Sequence, residues 1–155
     1  MKTHESIAAS INELIEINND RIEGYKKAIE LLPEGDHFGL RGIFEDYRDQ
    51  SIQFNADLKP LVATLGETPT DATRTSGKMF RAWMELKSAV APHAIQAILE
   101  SCERGEDEFQ KVYEEVLANG DLDTDLRVIA QSQLDTESAA HDHIKDLRDA
   151  KLEDR

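Results

Sequence analysis

Apolar residues near the start of the chain recur in steps of three and four: Ile7, Ile11, Leu14, Ile22, Tyr25, Ile29 and Leu32. This is the stripe of an amphipathic helix, and the same rhythm places Asn18 where another leucine would belong. The pattern predicts a first helix over about 5–32, stopped by Pro33-Glu34-Gly35. A second stripe reads Leu40, Phe44, Tyr47, Ser51, Phe54, Leu58, Leu61 and Leu65 before Gly66, and predicts a helix over about 37–65 with Asp36 as its cap. Gly39 and Gly42 weaken its first turns, and Pro60 removes one amide donor, so fraying at one end and a kink near the other are expected.

Gly66 opens a polar, turn-rich segment, followed by KMFRAWMELKSAVA, whose Met79, Phe80, Trp83, Leu86 and Val90 fall at roughly helical spacing, a short helix over 77–90. From Gly66 to Ala91 the link is about 26 residues, against the roughly two to eight typical of a helical hairpin, and is long enough to travel the length of a bundle. Pro92 then opens a third helix over 92–118 with Ile95, Ile98, Leu99, Cys102, Glu106, Phe109, Val112, Tyr113 and Val116 on its stripe. Asn119-Gly120 ends it. Asp121 or Asp123 caps a fourth helix over 123–151, with Leu126, Ile129, Gln133, Glu137, Ala140, Ile144 and Leu147 facing inward. The expected architecture is a single all-α domain over 1–155, a four-helix bundle with two short links and one long crossover carrying a short fifth helix.

Polar residues therefore interrupt the middle of every stripe. They are Asn18 on the first helix, Gln50 or Ser51 with Gln53 nearby on the second, Cys102 and Glu106 on the third, and Gln133 and Glu137 on the fourth, with His141 beside that face. At comparable heights these groups can satisfy one another, whereas burial without partners costs about 1–3 kcal/mol each. Of Glu103, Glu106 and Asp107 in the acidic run ERGEDE, one is expected to look inward. Tyr25 and Tyr113 sit at core spacing with hydroxyls expected at the rim, and His143 is expected to face water.

Composition narrows the partners. With 32 acidic and 18 basic residues the formal charge is −14, which repels phosphate backbones and anionic lipid, so neither nucleic acid nor membrane is expected. The single Cys102 cannot form an internal disulfide, and the opening MKTHESIAAS lacks the apolar run of a signal peptide, so a cytoplasmic location is expected. No Ser-His-Asp order, glycine-rich phosphate loop or paired-cysteine spacing points to catalysis.

Several strings, LIEINNDRIEGYKKAI, QSIQF, SGKMFRAWMELK, ILESCERGEDEFQKVYEE and AAHDHIKDLRDA, together resemble a bacterial family of uncharacterised ferritin-like four-helix bundles, one of the domains of unknown function. The resemblance spans about 6–150 and implies a fold without an established activity. The wider superfamily holds two metal ions with a Glu, a Glu-x-x-His, a Glu and a second Glu-x-x-His from its four helices. Laid on that pattern, Asn18 stands at the first Glu with Tyr25 as the nearby aromatic, and Gln50 and Gln53 stand at the first Glu-x-x-His. His141 fits the last His, with Ser138 three residues before it and Glu137 four before. Cys102, Glu103 and Glu106 remain alternatives on the third helix. Amides donate electron density but no charge, so Asn18, Gln50 and Gln53 weigh against two multivalent ions.

The expectation is a non-enzymatic bundle of the binding or stress-associated sort, with no cofactor and a polar network of Asn18, Gln50, Gln53, Glu106, Glu137 and His141. The alternatives are an iron- or manganese-binding protein or oxidase using Glu103, Glu106, Glu137 and His141, and a homodimeric module built on the Trp83 face.

Overall fold

The structure is a computed structural model and describes residues 3–35, 37–74 and 94–154. Among them are four long helices and no strand: α1 (His4–Leu31), α2 (Leu40–Thr64), α3 (Ala94–Asn119) and α4 (Thr124–Asp149). The expected helix over 77–90, with Trp83, lies outside the described residues.

Local chemistry sets the ends. Thr3 caps α1 in a reciprocal box with Ser6, and Leu32 leaves the helix in an extended conformation ahead of Pro33. Asp123, of the two acids open as caps, accepts from the Leu126 amide and starts α4. α2 starts later than expected, at Leu40. A short 3-10 turn, His37–Gly39, precedes it, and Phe38 and Gly39 both take positive φ, 69° and 66°, which a helix cannot accommodate. Gly39 supplies no side-chain cap, and Asp36 lies outside the described residues. Farther along, α2 runs through Pro60 to Thr64.

Cross-helix contacts fix the directions. Arg21 meets Ser51 and Asn19 meets Asn55, so α1 and α2 are antiparallel. Asn18 meets Tyr113 and Arg21 meets Glu106, so α1 and α3 are antiparallel too, which leaves α2 and α3 parallel. Gln133 pairs with Tyr113 and His141 with Asp107, setting α4 antiparallel to α3. The chain leaving α2 begins the return alongside α1. Asn12 donates to the Thr68 carbonyl and accepts from the Thr70 amide, Asn19 donates to the Ala72 carbonyl, and Asp20 accepts from the Arg74 amide. Three side chains on one flank of α1 thus satisfy the backbone of an extended strap that has no ladder of its own.

The core has two apolar halves. One gathers Ile11, Leu14, Phe54, Leu58, Phe109 and Leu134 with their neighbours, and the other Tyr25, Leu40, Phe44, Leu99, Cys102 and Ile144. Between them in sequence on each helix fall Asn18 and Arg21, Ser51, Glu106, and Glu137, all buried. Burying the apolar halves drives assembly, at about 25 cal/mol per Å² of apolar surface removed from water. The layer between them must satisfy itself.

The α3–α4 corner is tight. The Gly120 amide donates to the Val116 carbonyl at 2.8 Å and the Asp121 amide to Ser10 Oγ at 3.0 Å, joining the corner to α1. A Cβ on Gly120 would stand 2.6 Å from that carbonyl oxygen and 3.1 Å from Ser10 Oγ. Gly120→Ala is expected to cost about 1–3 kcal/mol of stability, read as a lowered urea midpoint, because the crowded atom is backbone and cannot rotate away.

Candidate functional site

At the centre of the buried layer is Arg21. Its side chain is 2% exposed and that of its partner Glu106 is 1% exposed. Nε donates to Oε1 at 2.5 Å and Nη2 to Oε2 at 3.1 Å, the two-pronged geometry that suits a planar guanidinium to a carboxylate. Nη1 donates to Ser51 Oγ at 3.0 Å. Aromatic rings line the group, with Phe109, Tyr25 and Tyr47 centred 5.3, 5.6 and 5.8 Å from Cζ. Burial is the largest influence and opposes the guanidinium charge, but the surrounding groups, Glu106 first among them, together outweigh it and the pKa moves up, so Arg21 stays cationic.

Asn18, one turn earlier on α1, donates to Tyr113 Oη at 2.8 Å, and that hydroxyl donates to Gln133 Oε1 at 2.6 Å. Asn18 also donates to its own helix at the Leu14 carbonyl, 2.9 Å away. Tyr113 is therefore an interior link, with its hydroxyl inside rather than at the rim. The Tyr25 hydroxyl is inside as well, without a hydrogen-bond partner among the described residues. Gly24 and Gly105 leave a cavity of about 20 Å³ beside Tyr25, Arg21 and Glu106, room for one water.

Glu137 is the exceptional member. It is fully buried, and neither carboxyl oxygen has a hydrogen-bond partner among the described residues. Burial, reinforced by the nearby Glu106, pushes its pKa up to about 9, against the pull of Arg21. At neutral pH it is a neutral acid, and the layer holds one positive and one negative charge.

The other residues singled out from sequence are dispersed. Gln50 is half-buried with its Oε1 unpartnered among the described residues. Gln53 is exposed and donates to Asp57 on its own helix, so it lies outside the interior layer. α2 turns Ser51, Phe54 and Leu58 inward, which points position 53 outward. His141 is also outside the layer, at the α3–α4 seam, where Nε2 meets Asp107 at 2.7 Å and Nδ1 meets Asp142 at 3.2 Å. Of the three acids on α3, Glu106 faces the centre, Asp107 is exposed, and Glu103 is nearly buried against Arg148. The four metal candidates thus divide, Glu106 and Glu137 inside, Glu103 and His141 on the seam. His143 is exposed but bonded to Tyr47 Oη at 2.6 Å. Cys102 is buried, and burial raises its pKa further, leaving the thiol protonated and unreactive.

Two multivalent ions do not fit the central layer. They would bring at least four positive charges to a place where Arg21 already takes Glu106, and Asn18 and Gln50 contribute none.

The Glu137 proton gives a measurable pH dependence. The unfolded carboxyl has a pKa near 4.5 and the folded one near 9, so the folded state holds an extra proton between them. The contribution of Glu137 to stability is therefore full below about pH 4.5 and falls as pH rises through the window to about 9, by on the order of 1 kcal/mol per pH unit. Glu137→Gln should flatten that slope. Urea unfolding of both proteins from pH 5 to about pH 9 checks it.

Comparison with known proteins gives one assignment. No curated protein and no solved structure matches the chain. A family model described as a domain of unknown function, DUF2383, matches residues 6–119, most of the chain and all of α2 and α3. The chain belongs to the DUF2383 family.

Proposed function

We propose that this protein is a non-enzymatic four-helix scaffold of ferritin-like connectivity whose ancestral metal position is filled by a tethered cation, the Arg21 guanidinium. The Arg21–Glu106 pair carries this reading: both side chains are essentially fully buried and joined by two hydrogen bonds in the layer between the apolar halves. Parallel α2 and α3, with a strap that sets off along α1 between them, agree with that connectivity. A charge attached to the chain neutralises Glu106 without a bound ion, and Ser51 and the flanking rings satisfy the rest of it.

The centre then acts as a register lock. Sliding α3 by one turn against α1 would separate Arg21 from Glu106 and leave two charges buried alone, a loss of about 3–5 kcal/mol. An interior spent on alignment leaves partner binding to the surface, where the formal charge of −14 favours basic over acidic partners.

Aerobic ferrous oxidation tests the non-enzymatic claim. In stopped-flow absorbance, iron(II) mixed with the wild-type chain should oxidise at the rate of buffer alone, and so should iron(II) mixed with Glu137→Gln. Acceleration by the wild type that is lost in Glu137→Gln would overturn the reading and make the layer an oxidase centre.

A further inference from the structure

We propose a second site, separate from the bundle centre: a surface position on the α3–α4 seam where Glu103, Asp107 and His141 bind one divalent transition-metal ion. The three offer one nitrogen and two carboxylate oxygens, and these ligand atoms lie within 4.8 Å of one another. Around a tetrahedral ion with bonds of about 2.1 Å, ligand atoms stand about 3.4 Å from one another, so side-chain rotations that draw the three atoms inward by about an ångström close the set. Two of the residues come from successive turns of α3 and the third from α4, so the ion would tie the helices together.

Three further features separate this group from an ordinary acidic patch. His141 brings a borderline nitrogen ligand, which favours zinc-like ions over magnesium or calcium. Its other ring nitrogen, Nδ1, contacts Asp142 Oδ1 at 3.2 Å. A carboxylate there orients the ring and keeps a proton on Nδ1, while Nε2, which faces Asp107 at 2.7 Å, releases its proton to solvent as the ion takes its place. The site is also reachable, because Glu103 and Asp107 line an open cleft of about 400 Å³ with Gln96, Glu100, Arg104 and Arg148.

Arg148 is the competitor. Its Nη1 engages Glu103 Oε2, while Nε and Nη2 both contact Asp149 Oδ1, at 3.0 and 2.8 Å. When an ion arrives, the guanidinium can release Glu103 and keep Asp149, so the cation already at the seam yields without being stranded. The bundle centre plays no part. Arg21 and Glu106 stay paired whether or not the seam is filled, and the two proposals stand or fall separately.

Calorimetric titration of the full chain with Zn²⁺ tests the site. One zinc per chain is expected, weakened at least about tenfold by His141→Ala and by Asp107→Asn, and tightened by Arg148→Gln. Circular dichroism and urea midpoints near wild type would confirm that the variants fold. No zinc binding, binding that His141→Ala leaves untouched, or weaker binding in Arg148→Gln would overturn the site. So would displacement of the zinc by equimolar magnesium, which marks nonspecific attraction to an acidic surface.

Discussion

A buried guanidinium must be held by a carboxylate or expelled, and the middle of this bundle is arranged around holding one. Removing two charges from water costs several kcal/mol per ion, recovered only when geometry is good and remaining hydrogen-bonding atoms are matched. Glu106 supplies two acceptors, Ser51 a third, and Phe109, Tyr25 and Tyr47 present ring faces to the cation. Each comes from a different part of the chain: α1 brings Arg21 and Tyr25, α2 brings Ser51 and Tyr47, and α3 brings Glu106 and Phe109. Three helices must therefore be in register at once, while the apolar halves on either side would tolerate small slips far better.

Neutral polar groups extend that demand to α4. Asn18, Tyr113 and Gln133 form a chain of donors and acceptors from α1 through α3 to α4. Glu137 lies one turn beyond Gln133, its pKa raised first by burial and then by the neighbouring Glu106, so that a neutral acid costs less there than a second anion. Every helix thus contributes a group whose burial depends on the others, and the layer specifies which helix sits beside which.

Much of this was legible in the sequence. Periodicity alone set Asn18, Ser51, Glu106, Gln133 and Glu137 on apolar stripes, and all are buried. Arg21 was not seen, for a physical reason. Steps of four and three from Ile7 run through Ile11, Leu14 and Asn18 to residue 21, but Ile22 is apolar and adjacent, so the stripe is drawn through it instead. Arginine on a helix is normally solvated, and only its strict spacing between Asn18 and Tyr25 marked it as interior. The strap was invisible for a related reason. Asn12, Asn19 and Asp20 look like a polar surface, and nothing local says that they hold the backbone of residues 68–74. Gln53 was misplaced because a three-residue spacing carried over by resemblance fixes which residue types to look for, not which way α2 is turned.

The most direct measurement is a double-mutant cycle on Arg21 and Glu106 by urea unfolding. Arg21→Met and Glu106→Leu should each cost about 3–5 kcal/mol, by stranding the partner charge, while the double variant should recover most of that loss. Additive losses, with the double variant as unstable as the sum of the two singles, would contradict the account. They would mean that the two side chains do not depend on each other and that something else aligns the bundle.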